Sequence, residues 1–430
     1  MGLDPDCHRP AHLECPGRPA AERSGVVTTE APSGVDEVCA RQMRDQLADQ
    51  LAANGDLNTT GWRDAVRRVP RHVFLPRFYA RQETDRGPTA WVPVTRETAG
   101  NDAWLTKVYE NTTWTTQLDG NDASWDRAGP QVGNPTSSST LPGLLVMMLE
   151  HLDVTDGDRL LLVGTGTGYS TALASERLGS SQVFSVDVDP ILADRARNRL
   201  RQAGYTPTVV AGDGLAGHES GAPYDRVIAF CSPTSIPAAW LTQARPGALL
   251  VASVTGALGS YGLVKLTVNE NGTASGRILP DMASFMLARS QANPQPADLK
   301  DRMGPTQGAP QPTRLTPAVL EDPAFRFTAQ YALPQVMYFT VAEGDVTYTY
   351  LSHHTDGSWV RLHHDGDDWL LEQGGHRALW NELTAVHDTW QAHGRPAPHR
   401  YDLRVDEGGV QRLVLETRLD SSSWQSAPLR

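Results

Sequence analysis

The sequence predicts an α/β fold: a mostly parallel sheet wound with helices, followed by a smaller α+β region. Three observations carry this. Between residues 136 and 290, short apolar runs alternate with amphipathic ones, the pattern of parallel strands joined by crossover helices. One of these runs, Leu160 to Val163, opens directly into Gly164-Thr165-Gly166-Thr167-Gly168 and a helical stretch. Beyond a Pro-rich interval at 291–317 the pattern changes to short strands interrupted by a single helix.

Taken in order, residues 1–34 are polar, rich in Pro and Gly and without a hydrophobic period, which predicts a disordered leader. Val35, Cys39, Met43, Leu47 and Leu51 recur every four residues and predict a helix stopped by Asn54-Gly55. A second helix is expected from Trp62 to Val69. Pro70 and Pro76 bracket Arg71 to Leu75, read as extended. Residues 80–136 show many Thr, Asn, Asp and Gly and few periods, so 35–135 is expected to be helices and irregular loops that cover an active site. A helix then spans 141–152. Strands are expected at 159–163, 183–188, 208–211, 225–231 and 248–254, with helices at 169–178, 190–203 and 238–244. Leu263 to Val268 and Ala283 to Ala288 close the domain as an antiparallel pair. Residues 291–317 read as a linker. In the C-terminal α+β domain, 318–430, strands are expected at 336–341, 346–351, 359–363, 369–372, 401–405 and 410–415. Leu379, Leu383, Val386 and Trp390 mark its helix.

Composition narrows the function. The 430 residues contain 39% apolar side chains, 30 Pro and 38 Gly, and a formal charge of −12. That charge argues against nucleic acid or an anionic membrane as partner. No apolar run reaches the ~20 residues that span a bilayer, and the N-terminus lacks an apolar export core, so a cytoplasmic protein is expected. Cys7, Cys15, Cys39 and Cys231 show no zinc-type spacing and are read as free thiols.

The glycine run carries the chemistry. Glycines let a backbone approach a ligand closely, and the following helix offers unpaired N–H groups. A tight turn without a ligand has the same sequence, so the neighbouring motifs decide. Asp187, followed by Val188, ends the next strand, where a carboxylate can accept both ribose hydroxyls of a nucleoside. Asp189, just before Pro190, is the better helix cap. Gly212-Asp213-Gly214 ends the third strand, where an acid suits an adenine amino group. Pro223-Tyr224-Asp225 leads into the fourth. The glycines run G-x-G-x-G. The third glycine of the dinucleotide fingerprint would fall at Tyr169, so S-adenosylmethionine is expected rather than NAD. The cofactor candidates are Gly164, Thr165, Gly166, Thr167, Gly168, Asp187, Val188, Asp213 and Gly214.

In order and spacing these motifs resemble those of the protein L-isoaspartate O-methyltransferase family, over roughly residues 36–290. Val69-Pro70-Arg71-His72-Val73-Phe74-Leu75-Pro76 is similar to that family's VPR-x-x-F-x-P segment, and Phe285 to Arg289 to its terminal strand. The resemblance implies a Rossmann-like S-adenosylmethionine methyltransferase fold with a mostly parallel seven-stranded sheet, and a carboxyl O-methyltransferase acting on peptide. It also implies a Ser-x-Pro hydroxyl near the reacting carboxylate. Ungapped register places this hydroxyl at Thr140, two residues before Pro142, and a one-residue shift places it at Ser139. Capping of the 141–152 helix is the competing role of this Ser/Thr run. Leu162 stands where the family has Glu or Asp. A carboxylate is already nucleophilic at neutral pH, its reference pKa being about 4, so orientation rather than a strong base is required.

The long layout resembles actinobacterial members of the family that act in ribosomal peptide biosynthesis, in lanthipeptide, lasso peptide and graspetide pathways. Such members esterify an Asp of a cyclised precursor peptide, and the ester collapses to aspartimide or isoaspartate. The C-terminal domain would then recognise the peptide. A repair enzyme acting on isoaspartyl residues and a non-catalytic peptide-binding scaffold are the alternatives. Adjacent histidines, His353-His354 and His363-His364, point to opposite faces of a strand and do not form a metal site.

Overall fold

A computed structural model describes residues 36–83, 88–127, 129–291, 298–299, 303, 305–306, 308–415 and 424–425. The expected leader, with Val35, Cys7 and Cys15, lies outside them. The chain divides into two compact units, each discontinuous in sequence.

The first unit holds residues up to Glu150, with Thr165–Val183 and Asp189–Val209. Helix α1, Glu37–Ala53, starts at Asp36, whose carboxylate accepts from the backbone N–H groups of Val38 and Cys39. It buries the predicted stripe of Cys39, Met43, Leu47 and Leu51. Helix α2 is Thr60–Arg68. The segment expected to be extended is instead a helical turn, α3, Arg71–Phe74, with Pro70 at its N-cap. Proline suits a helix start because no N–H is needed there.

The region expected to be irregular is also ordered. Strands β1 (Arg77–Gln82), β2 (Ala90–Thr95), β3 (Trp114–Leu118) and β4 (Pro135–Ser139) form an antiparallel sheet in the order β2-β1-β3-β4. Helices α4 (Arg96–Ala99) and α5 (Asn101–Tyr109) lie between β2 and β3 in the chain. Strands β3 and β4 are short and rich in Thr and Ser, and their mutual register is bulged, so no clean two-residue period survives there. Helices α6 (Pro142–Glu150), α7 (Tyr169–Leu178) and α8 (Pro190–Gln202) complete the unit.

The second unit contains β5 (Leu160–Val163), most of β6 (Val183–Asp187), the end of β7 (Thr208–Ala211), β8 (Tyr224–Ala229), α9 (Ala238–Thr242), β9 (Ala244–Thr255), β10 (Tyr261–Val268) and β11 (Ala274–Ile278). It continues with β12 (Gln311–Thr313), α10 (Pro323–Ala332), β13 (Val336–Glu343), β14 (Val346–His353), β15 (Trp359–Asp365) and β16 (Asp368–Gly374). Helix α11 (Leu379–Ala392) and strands β17 (Tyr401–Val405), β18 (Gln411–Leu415) and β19 (Trp424–Gln425) follow.

The main sheet has ten strands, not seven, in the order β19-β18-β17-β11-β10-β9-β8-β5-β6-β7. Strand β8 runs parallel to β5 and β9, and the strands from β9 out to β18 pair antiparallel. The hairpin partner of β10 is β11 across Asn271-Gly272, not 283–288. Residues 283–288 instead make a single bridge, Leu287 to Ser232. Strand β17 pairs with β11 from Ala274↔Val405 to Arg277↔Asp402. The expected 318–430 domain is therefore shared between two sheets. Alternation of Tyr401, Leu403 and Val405 marks a strand with one buried face but does not say which edge it will join.

The second sheet has the order β12-β16-β15-β14-β13. Its edge strand β12 comes from the interval read as a linker. Trp380 and Trp390 are buried in the core beneath it with Phe325, Leu351 and Leu362.

Cysteine pairing also departs from expectation. Cys39 is disulfide-bonded rather than free, because pairing follows distance in space, which sequence spacing does not give. Cys231 is a free thiol.

Candidate functional site

In the second unit the carboxyl ends of the central strands converge. The Gly164 N–H donates to Val186 O at 2.8 Å, Gly212 N–H to Asp187 O at 2.9 Å, and Phe230 N–H to Val163 O at 2.8 Å. These bonds bring Gly164, Asp187 and the Gly212-Asp213-Gly214 turn to one edge of one sheet, where ligands of open α/β sheets bind. The Asp187 residue is 7% exposed, and Val188 beside it is exposed. The Asp213 carboxylate accepts from Leu215 N at 3.0 Å and stiffens its own turn. Gly214 allows a close approach: a Cβ there would lie 2.3 Å from Val163 Cγ1. Its carbonyl is held by the indole N–H of buried Trp240 at 2.8 Å. Leu162 is fully buried in β5.

Sequence reasoning passed over Cys231. Burial pushes its thiol up to about 12, and the carboxylates of Asp187 and Asp213 add to the effect. This thiol is protonated at neutral pH, and the charges of both candidate carboxylates act on it.

In the first unit, Thr165 to Gly168 leads into α7. Gly168 is the N-cap with φ of 93°, and a Cβ there would press on Ala196 Cβ at 3.3 Å and Phe74 Cδ1 at 3.4 Å. Thr165 and Thr167 are buried. A Cβ on Gly166 would sit 3.6 Å from Ser138 O, so the glycine loop runs beside β4.

That strand carries the hydroxyl candidates. Ser139 is 3% exposed and Thr140 half-buried. The competing capping role does not fall to Thr140. Leu141 N donates to Thr113 Oγ1 at 3.0 Å and Gly143 N to Asn111 Oδ1 at 2.8 Å, so the start of α6 is served from another segment. The Thr140 hydroxyl makes no hydrogen bond among the described residues. Upstream, Thr116 Oγ1 donates to Ser137 Oγ at 3.1 Å and Thr136 Oγ1 to Gln117 Oε1 at 2.8 Å. Gln117 Nε2 in turn donates to Asp189 Oδ2 at 2.9 Å. Asp189 caps α8 through Ile191 N and Leu192 N, as its place before Pro190 predicts.

Beneath the hydroxyl strand lies Arg71, fully buried. Nη1 donates to the carbonyls of Val108 at 2.6 Å and Glu110 at 2.8 Å. Nη2 reaches Thr112 O at 3.2 Å, Ser139 Oγ at 3.4 Å and Thr140 O at 3.4 Å. Burial pulls its guanidinium down to about 10, which leaves it charged at neutral pH. Arg71, Asn111 and Thr113 are site-building residues to which sequence reasoning gave no role. The arginine was visible in the VPR segment, whereas the other two carried no signal.

The histidines have local uses. His353 Nδ1 accepts from Thr355 N and Asp356 N in a turn. His363 lies against Tyr348, and His364 against Trp369. Among the described residues no cluster of three His, Cys, Asp or Glu could hold a metal. No helix among them is long and apolar enough to cross a membrane.

Comparison with known proteins identifies a methyltransferase family. The family model described as Protein-L-isoaspartate(D-aspartate) O-methyltransferase (PCMT) matches residues 101–283. The chain is 30% identical over 215 residues to protein-L-isoaspartate O-methyltransferase 2 of Archaeoglobus fulgidus, covering 50% of this chain and 78% of the relative. It is 31% identical over 233 residues to the protein-L-isoaspartate O-methyltransferase of Methanoculleus marisnigri, covering 54% of this chain and 85% of the relative. A solved structure described as a protein-L-isoaspartate O-methyltransferase superposes with a TM-score of 0.52 at 17% identity, covering 87% of this chain and all of the other. The two share the Rossmann-like methyltransferase fold.

Proposed function

The chain belongs to the protein-L-isoaspartate O-methyltransferase family, whose members are S-adenosylmethionine-dependent enzymes, and from that premise we propose that it esterifies a carboxylate of a peptide, an isoaspartyl residue first. The residues present suit the methyl donor. Glycine suits 168 because φ there is 93°, and suits 214 because a Cβ would lie 2.3 Å from Val163 Cγ1. Asp187 places a nearly buried carboxylate at a strand end, where ribose hydroxyls can be accepted. In the second unit, Gly164, Asp187 with Val188, and Asp213-Gly214 would hold S-adenosylmethionine. Bound there, it supplies an electrophilic methyl group. The peptide carboxylate needs no base, so the protein's task is alignment. The Thr140 hydroxyl donates to one carboxylate oxygen, with Ser139 beside it.

The observation that carries this role is the spare hydroxyl of Thr140, left without a partner because Asn111 and Thr113 serve the helix end.

A second reading is methylation of an ordinary Asp in a cyclised precursor peptide. Chain length gives it no support, because a solved protein named for isoaspartate methylation covers 87% of this chain. The test is mass spectrometry on linear isoaspartyl, linear aspartyl and cyclised aspartyl peptides. Methyl gain on the isoaspartyl peptide is the expected result. Methyl gain on the cyclised peptide alone, then loss of methanol, would establish the second reading. Tight binding of S-adenosylmethionine with no transfer would mark a scaffold.

A further inference from the structure

We propose that Arg71 is a positioning residue for methyl transfer, which turns the Ser139 hydroxyl proton toward the acceptor and sets behind it a positive charge that no carboxylate among the described residues pairs with. This rests on the reading that the acceptor carboxylate docks on Ser139 and Thr140.

The charge is the first argument. A buried guanidinium is normally paired with a carboxylate, since desolvating an ion is costly. Arg71 is fully buried, yet its five acceptors are four carbonyls and the Ser139 hydroxyl. Among the described residues no carboxylate pairs with it. The groups that face it do not neutralise it. The guanidinium carbon lies 5.8 Å from the ring centroid of Tyr169 on α7. Burial pushes the Tyr169 phenol up, and that of Tyr109 on α5 up to about 12, so neither is an anion at neutral pH. The Glu110 carboxylate, just past α5, acts on Arg71 without forming an ion pair. Arg44 and His72 meet the hydroxyl of Tyr109. Pinning carbonyls alone does not require a cation. An anion that arrives with the substrate completes the pair.

The hydroxyl is the second argument. Ser139 Oγ accepts a hydrogen bond from Arg71 Nη2, so its own O–H must point elsewhere. That O–H has no acceptor among the described residues. Nη2 also holds Thr140 O, so one nitrogen fixes the backbone and hydroxyl of adjacent candidates.

The experiment compares wild type, Arg71→Met, Arg71→Lys and Ser139→Ala on a short linear isoaspartyl peptide. It records kcat against pH, peptide affinity by calorimetry and S-adenosylmethionine affinity separately. Removing a nearby cation raises the pKa of a carboxylate by about one unit or more. The acid limb of kcat in Arg71→Met should move up by about that much, with peptide binding weakened roughly tenfold and S-adenosylmethionine affinity unchanged. Arg71→Lys should restore the limb while leaving kcat low, because one ammonium cannot hold five acceptors. An unmoved limb in Arg71→Met, or a limb in Arg71→Lys displaced as far as in Arg71→Met, overturns the proposal. Should Arg71→Met fail to fold, Ser139→Ala decides: kcat lower by on the order of tenfold to a hundredfold with an unmoved limb supports it, and wild-type kcat overturns it. Wild-type protein that binds S-adenosylmethionine but methylates no peptide overturns the functional reading itself, a result distinct from all of these.

Discussion

The proposed function gives Thr140 a role toward the acceptor and Asp187 a role toward the methyl donor, and substitutions should separate these roles. Thr140→Val keeps the shape and deletes the hydroxyl. Turnover should fall by roughly tenfold or more while S-adenosylmethionine affinity stays level, and steady-state kinetics alongside calorimetry check this. Asp187→Ala removes the expected ribose acceptor and should cost about 1.5–3 kcal/mol of S-adenosylmethionine affinity, the range for bonds to charged groups. Binding as tight as wild type would displace the nucleoside from β6. At this scale the sequence was legible where a motif is contiguous. Gly164 to Gly168, Asp187 and Asp213 each stand beside a recognisable strand end. Asn111 and Thr113 were not legible, because their contribution to α6 depends on which distant segment folds over that helix end. Arg71 could be read as a motif member, but its five acceptors lie 37 to 69 residues away.

Elements show the same division. The stripe of α1, the strand–helix alternation from β5 to β9 and the cap of α8 follow local rules and were foreseeable. The sheet of β1 to β4 was not, because a bulged, Thr-rich strand lacks the two-residue period. Segments α1, α3 and α5 are joined by a buried network that gives a test of their packing. His72 Nδ1 meets Tyr109 OH at 2.8 Å, and Arg44 joins Tyr109 to Glu37. Burial, assisted by Arg44, holds the His72 imidazole down to about 4 despite Glu37 nearby. An unfolded histidine takes its proton near 6.5. The neutral folded form therefore contributes fully above that pH, and the contribution is lost as pH falls toward 4. His72→Phe should reduce the acid-induced loss of stability between pH 7.5 and pH 5 by roughly 2 kcal/mol, read from urea midpoints at both pH values. An equal loss in both proteins would show that His72 is not the titrating group.

At the scale of the whole molecule, the strands β17 and β18 alter what a truncation can mean. A separate C-terminal domain would be removable, leaving a functional sheet. Here the pairing of Ala274–Arg277 with Asp402–Val405 places the late strands inside the main sheet. Tyr401 and Leu403 are buried in the same core as Val264 and Ile278. A chain ended near residue 315 should therefore be insoluble or aggregate, since β11 would become an exposed edge. Deleting only the second sheet and bridging to residue 398 should do less damage. Soluble yield and size-exclusion profiles distinguish the two, and a well-behaved chain ending at 315 would contradict this account. The alternation of Tyr401, Leu403 and Val405 was readable as a strand, but its address was not, because register along an edge is set by tertiary partners.

The return of β17 to β11 also has a consequence in time. More than a hundred residues separate these paired strands, and a ribosome adds roughly 5–20 residues per second. For on the order of ten seconds the nascent chain carries β11 with its outer edge open while the second sheet is still being made. The intervening segment must emerge and fold as an excursion from a half-built sheet before that sheet can close. Synthesis of this protein thus contains a waiting period in which the main sheet is exposed to mispairing, and its relief is the arrival of Tyr401 to Leu415.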